Sequence, residues 1–335
     1  MNIEFLPLIL VLLASFFQGT FGLGMKYMAP LKWEAWWLLH AFVAMILVPF
    51  VWAILVIPDL FQVIASIDSN ALVLPALYGA LWGVGGILFG VSVEKTGISI
   101  TYGVVMGLAA SVGSIIPLFQ IEGAFAQPSF PIIMIGVVLL IVGVAITAVA
   151  GVRRDKLKID ESSTNTAIKT GVLIAIISGV LSAFLNVGFS NATSIAQVAV
   201  DDFGVGTQNA SLASWVVVLI GAFLVNGGYA VFRLIKNNSW SSYKVANSGK
   251  AYMWAIVSGI FWFSALGVYG QGAALMGEMG PVIGWPILLG LALIISNIWA
   301  YRAGEWKNAK APFKLLMMGL AVLIIAICIL GYANY

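Results

Sequence analysis

The sequence predicts an all-α membrane protein: ten transmembrane helices in two inverted repeats of five. Three observations carry that expectation. The chain has 335 residues, of which 61% are hydrophobic and only 9% charged, whereas a soluble domain holds roughly 25% charged residues. The apolar residues fall in successive runs close to the ~20 needed to cross a bilayer. All 16 Lys and Arg fall at the ends of alternate runs.

The ten spans are expected at 4–25, 34–57, 72–93, 98–119, 131–151, 169–190, 209–234, 251–275, 281–301 and 313–333. Each is expected to be helical, because lipid offers no hydrogen-bond partners and a spanning segment must satisfy its own backbone. The alternating pattern of an outer-membrane barrel is absent. The first span lacks the basic flank and small-residue cleavage site of a signal peptide. Lys26 and Lys32 follow span 1, and Lys95 follows span 3. Arg153, Arg154, Lys156, Lys158 and Lys169 surround the link between spans 5 and 6. Arg233, Lys236, Lys244 and Lys250 follow span 7, and Arg302, Lys307, Lys310 and Lys314 follow span 9. Basic loops mark the cytoplasmic face, so both termini are expected on the outer, periplasmic side of an inner membrane. Glu4, Asp59, Asp68, Glu122, Asp201, Asp202 and Glu278 carry the opposite face. The net charge of +3 reads as this orientation signal; nucleic-acid binding would need a soluble basic patch.

The longest polar break, "RRDKLKIDESSTNTAIK", starts at Arg153. It suggests a first five-helix repeat over 1–152, a cytoplasmic linker over 153–168 and a second repeat over 169–335. Residues 82–97 and 262–277 share one register, which pairs Trp82 with Trp262, Phe89 with Tyr269, Gly90 with Gly270 and Gly97 with Gly277. These stretches lie on spans 3 and 8, the third of each half. Gly24 in span 1 and Gly188 in span 6 pair less closely. Five is odd, so a repeated half must be inverted, the arrangement of secondary transporters with a substrate site near the midplane. The glycine-rich "LWGVGGILFG" of span 3 lies inside a span and has Leu88 where a dinucleotide loop needs its last glycine. Its glycines, with pairs such as Gly79–Gly83 and Gly86–Gly90, read as sites of close helix approach.

Three stretches resemble a known family: "QGTFGLGMKYMAPLKWEAWW" from Gln18, "YGALWGVGGILFGVSVEKTGISITYGVVMGLAASVGSIIPL" from Tyr78, and "YGQGAALMGEMGPVIGWPILLGLALIISNIWAYRAGEWKNA" from Tyr269. They are similar to the L-rhamnose–proton symporter family of the drug/metabolite transporter superfamily, and the likeness covers nearly the whole chain. Its Gly-Glu-Trp ending, Gly304-Glu305-Trp306, is fairly specific. The resemblance implies a ten-span carrier that imports a sugar, L-rhamnose or a related deoxy-sugar, by proton symport with alternating access.

A deoxy-sugar needs aromatic faces for its C–H surfaces and amides for its hydroxyls. The substrate-binding candidates are Trp82, Phe89, Trp262, Tyr269 and Trp285, with Gln18, Asn186 and Gln271. Asn226 is a further amide within a span. The competing reading is core packing for the aromatics, an interface anchor for Trp285, and interhelical ties for the amides. Proton coupling needs a titratable group. His40, the single histidine, and Glu94 are the candidates; a histidine's unperturbed pKa near 6.5 suits a switch close to neutral pH. Glu278 is a lesser candidate at the outer gate. No carboxylate is expected at the centre of a span.

No cofactor other than the coupling proton, and no metal, is expected. One histidine and one cysteine, Cys328, cannot build the usual metal set. Neither H-E-x-x-H nor G-x-S-x-G occurs, so enzyme chemistry is not expected. A drug or metabolite exporter and an uncoupled carrier remain alternatives on the same scaffold. The sugar and the bilayer are the expected partners.

Overall fold

A computed structural model describes residues 5–157 and 165–334. Glu4, Lys158 and the middle of the expected linker lie outside the described residues. Among those described, the elements are all helical, and ten helices are long and apolar enough to span a membrane. They are Leu6–Tyr27, Trp33–Val56, Ser69–Thr96, Ile98–Gln120, Phe130–Lys156, Lys169–Asp201, Thr207–Lys236, Gly249–Leu275, Gly277–Arg302 and Lys310–Tyr332, numbered here as spans 1 to 10. They coincide with the ten expected segments.

Local chemistry explains the departures. Span 5 stays helical through Arg153–Lys156, residues expected in the linker. Arg and Lys are good helix formers and complement the negative end of the helix dipole. Span 6 runs as one helix to Ser190 and a second from Thr193 to Asp201. Ser214 Oγ donates to the Ala192 carbonyl at 2.7 Å across this break. Span 1 tightens to a 3₁₀ turn over Phe21–Tyr27, and span 2 carries a π-helical turn over Val43–Leu47.

The chain forms two compact units: residues 1–83 with 188–277, and residues 84–187 with 278–335. Each unit draws on both sequence halves. In the first unit, span 1 lies antiparallel along span 8: Phe17 and Phe261 rings stand 5.3 Å apart, and Ser258 Oγ donates to the Phe21 carbonyl at 3.0 Å. Spans 3 and 7 meet backbone to backbone. A Cβ on Gly79 would overlap the Val218 carbonyl, and one on Gly221 would overlap that of Ala76. Gly83 likewise faces Val225 and Asn226. Gly90, by contrast, has nothing within 4 Å of a built Cβ, so close approach does not account for it.

In the second unit, spans 5 and 10 pack along each other; Gly136 and Gly143 admit Leu330 and Leu323. Spans 4, 6 and 9 are tied by polar groups that answer two interior prolines. Pro117 has no N–H, so the Gly113 carbonyl loses its helical donor. Asn186 Nδ2 supplies one at 2.8 Å. Pro286 frees the Val282 carbonyl in the same way, and Ser114 Oγ donates to it at 2.5 Å.

Large apolar side chains such as Leu12, Phe16, Leu55, Val73, Leu77, Leu224 and Met318 are exposed on both units. So broad an apolar exterior is unsuited to water and suits lipid.

Candidate functional site

Trp82 and Trp262 sit at the midpoints of Ser69–Thr96 and Gly249–Leu275. Their ring centroids are 5.3 Å apart and their planes inclined by 33°. The two residues that one register pairs across the sequence halves therefore touch. Gln18 lies at the same height, because its neighbour Phe17 meets Phe261. Its Oε1 is buried without a hydrogen-bond partner. Asn226 is 1% exposed, its Nδ2 donates to the Ala222 carbonyl of its own helix at 3.0 Å, and it packs against Gly83 beside Trp82. Two indoles, the amide of Gln18 with its unpartnered oxygen and the buried amide of Asn226 thus gather at mid-helix in the first unit.

A second group stands nearer the C-terminal end of span 8. Tyr269 is fully buried, with Phe189 at 5.8 Å and Trp215 at 6.3 Å, and the Phe189 and Trp215 rings stack at 4.5 Å. Trp215 Nε1 is buried without a partner. Gln271 Nε2 donates to Asn209 Oδ1 at 3.1 Å. At 1.5 Å per residue, Gln271 is about 15 Å along span 8 from the height of Gln18. One sugar ring does not reach both amides, so the expected clamp of Gln18 and Gln271 on a single substrate is not assembled in this conformation.

The other candidates lie in the second unit. Asn186 is fully buried, and its Nδ2 donates to the carbonyls of Gly113 and Pro281 at 2.8 and 2.9 Å. That is the interhelical tie weighed above. Trp285 is 3% exposed and donates its indole N–H to the Ala109 carbonyl at 2.9 Å, its ring lying across Gly113. Burial at this depth excludes an interface anchor. Phe89 meets Tyr102 edge-on at 6.3 Å.

His40 is 1% exposed and stacks on Trp37 at 5.2 Å and Phe21 at 6.4 Å. It hydrogen-bonds the Ala255 backbone, and its Nδ1 has no partner. Glu94 and Glu278 are exposed at helix ends. Two residues escaped the sequence reading. Trp215 has no counterpart in the repeat register. Glu34, 3% exposed, is a buried carboxylate near the start of span 2; its signal was an acid set among the tryptophans of "WEAWW".

The distinctive Gly304-Glu305-Trp306 forms a clamp. Gly304 adopts φ +76°, and the two residues after it reach Arg154. Glu305 Oε2 pairs with Arg154 Nη1 at 3.1 Å, and the guanidinium lies 4.7 Å over the Trp306 ring. Arg154 also pairs with Asp155 at 2.9 Å, which accepts from Ser99 Oγ at 2.5 Å. Two apolar hollows open on the surface, one of about 430 Å³ at Leu47, Val51 and Leu55 and one of about 490 Å³ at Ile132, Ile324 and Cys328. Neither includes a predicted site residue. Among the described residues no group of His, Cys, Asp and Glu could hold a metal.

Ten apolar spans with amides and indoles buried at mid-helix define a multi-pass membrane protein with the build of a solute carrier. The L-rhamnose-proton symport protein (RhaT) family matches residues 2–334; the chain belongs to that family, one of transporters rather than enzymes. It is 26% identical over 320 residues to the L-rhamnose-proton symporter of Pectobacterium atrosepticum, covering 91% of this chain and 92% of the relative. The Mannheimia succiniciproducens L-rhamnose-proton symporter is 26% identical over 324 residues, covering 93% of each. That of Yersinia pestis is 25% identical over 340 aligned positions, covering 98% of each.

Proposed function

We propose that the protein imports L-rhamnose together with a proton, by alternating access of a midplane site. The observation that carries the site is the Trp82–Trp262 pair, 5.3 Å apart at mid-helix, with the unpaired Oε1 of Gln18 at the same height. The methyl group and C–H faces of a 6-deoxyhexose suit indole surfaces. An amide oxygen without a partner is unfavourable until a hydroxyl donates to it. Asn226 supplies a second amide on the span 7 side. Tyr269, Trp215 and Gln271 line the outer part of the same unit and act on the way in, while Asn186 and Trp285 tie helices together within the second unit.

The two five-helix segments, 1–152 and 169–335, are inverted copies of the drug/metabolite transporter kind, and their exchange of conformation carries the site from one face to the other. This reading is supported by the shared register of spans 3 and 8 and by the odd number of spans in each half. The alternation of basic loops supports an inner-membrane location with both termini periplasmic. The coupling proton rides on a titratable group; of the two sequence candidates, His40 is buried and Glu94 exposed.

Uptake by purified protein in liposomes, with a panel of 6-deoxyhexoses and pentoses and with or without an inward proton gradient, tests this. Gradient-driven accumulation of L-rhamnose is the expected result. Equilibration without accumulation would mean an uncoupled carrier, and preference for efflux of an unrelated solute would mean an exporter; either overturns the proposal.

A further inference from the structure

Glu34 has no part in the mechanism above, yet it is the most elaborately held acid in the first unit. Its Oε1 accepts from Ser239 Oγ at 2.5 Å and from Asn237 Nδ2 at 3.0 Å, and its own backbone N–H also turns to the carboxylate. Both side-chain donors belong to the connection between spans 7 and 8. That connection grips the start of span 2 twice more. The Lys32 N–H donates to Ser242 Oγ at 2.8 Å, and the Tyr243 hydroxyl donates to the Ala35 carbonyl at 2.9 Å.

The charged and titratable surroundings are few. Arg233, from span 7, acts on Glu34 electrostatically but forms no ion pair with it among the described residues. Its Nη1 instead donates to Tyr229 Oη at 3.4 Å, and its Nε is buried without a partner. Tyr243 faces the carboxylate from the connection, and Tyr252 of span 8 lies behind it, its hydroxyl donating to the Tyr243 carbonyl at 2.6 Å. Lys32 precedes span 2, and His40 stands further along it.

We propose that Glu34 binds and releases a proton during transport, and that its ionised form latches span 2 to the span 7–8 connection. Hydrogen bonds to a carboxylate are about twice as strong as neutral ones. A proton on Glu34 turns both side-chain bonds into neutral ones and removes the attraction to Arg233. The latch then loosens. The basic residues place this connection on the cytoplasmic face, so the latch closes that end. Opening toward the cytoplasm thereby requires a proton, which Glu34 takes from the outer side while the cytoplasmic end is latched, and loss of that proton to the cytoplasm re-forms the closed end. The inference rests on the symport reading above and gives it a third titratable group beside His40 and Glu94.

Liposomes containing wild type, Glu34→Gln, Ser239→Ala and His40→Gln test it. With one proton per sugar, a gradient of one pH unit supports about tenfold accumulation. Wild type should approach that. Glu34→Gln should exchange L-rhamnose in counterflow at a rate indifferent to pH and accumulate none. Ser239→Ala removes one donor to the anion and leaves the carboxylate in place; it should still accumulate sugar, with the pH midpoint of exchange moved upward. Normal accumulation by Glu34→Gln, or an unmoved midpoint in Ser239→Ala, overturns the latch. His40→Gln losing accumulation while Glu34→Gln keeps it also overturns the latch and leaves symport intact. Wild type that exchanges L-rhamnose but never accumulates it refutes symport itself, and the latch with it.

Discussion

Trp82 and Trp262 face each other at mid-helix, their ring centroids 5.3 Å apart. They are also the residues that one sequence register pairs between spans 3 and 8. Residues related by a pseudo-two-fold axis meet when they lie close to it, so this contact is where an inverted repeat would place its centre. If the pair is the sugar's platform, Trp262→Ala should weaken L-rhamnose binding by about 0.5–1.5 kcal/mol, the scale of a lost aromatic contact. Trp82→Ala should do the same, and the double variant should lose less than the sum, because each single change already opens the stack. Calorimetric titration in detergent measures all three.

Gln18 makes a different prediction, because its buried Oε1 has no hydrogen-bond partner. Gln18→Leu should leave thermal stability unchanged or raise it, since a buried unpaired oxygen is removed. The same change should weaken sugar binding by about 1–3 kcal/mol. A stability loss with normal affinity would make Gln18 a helix tie.

Asn186 should behave in the opposite way. Asn186→Ala leaves the Gly113 carbonyl short of a donor and removes the tie to Pro281, and should cost about 1–3 kcal/mol of stability, with sugar affinity retained. Pro117→Ala restores a backbone N–H to Gly113 and should recover part of that loss in the double variant. Thermal unfolding of the four-member cycle decides the point; strict additivity would disconnect Asn186 from the proline.

Much of this was legible in the sequence, and the reasons are physical. Lipid imposes a length and a composition on each span, so all ten were found, and the basic residues marked alternate ends. Trp82 and Trp262 emerged because the sequences of spans 3 and 8 share a register. Gln271 was expected beside Gln18, because a list of polar residues within spans carries no height. Only the contacts of span 1 along span 8 put them about 15 Å apart. Asn186 was weighed as substrate ligand or tie, and its partner is a carbonyl freed by a proline on another helix, a pairing that no local pattern encodes. Glu34 went unnoticed because it sits near a helix start, where an acid usually meets water; the span 7–8 connection that covers it is distant in sequence.

The span 3–7 contact gives a stability prediction. Gly79→Ala puts a methyl group into the Val218 carbonyl, and backbone cannot yield as a side chain can. A loss of at least about 1–3 kcal/mol is expected, as for overpacked cores. Gly90→Ala, with open space around it, should be tolerated. Thermal stability of the two variants, in the same detergent, separates them.

Tyr243 provides a pH test outside the spans. Burial, with Tyr252 and Glu34 nearby, pushes its phenol up to about 12. A raised value in the folded protein means stability fully present below the ordinary tyrosine value near 10 and lost as pH climbs from there to about 12. Tyr243→Phe should flatten that part of the stability profile, and an unchanged profile would contradict the assignment.

The central claim is a midplane sugar site reached from each face in turn. Cysteine accessibility tests it most directly, since the chain has a single native cysteine, Cys328. In a Cys328→Ser background, Gln18→Cys should react with a membrane-impermeant thiol reagent added from either side, and L-rhamnose, at a concentration that saturates the weakened site, should protect it from both. Reaction from one side only, or reaction that L-rhamnose leaves untouched, would contradict the account.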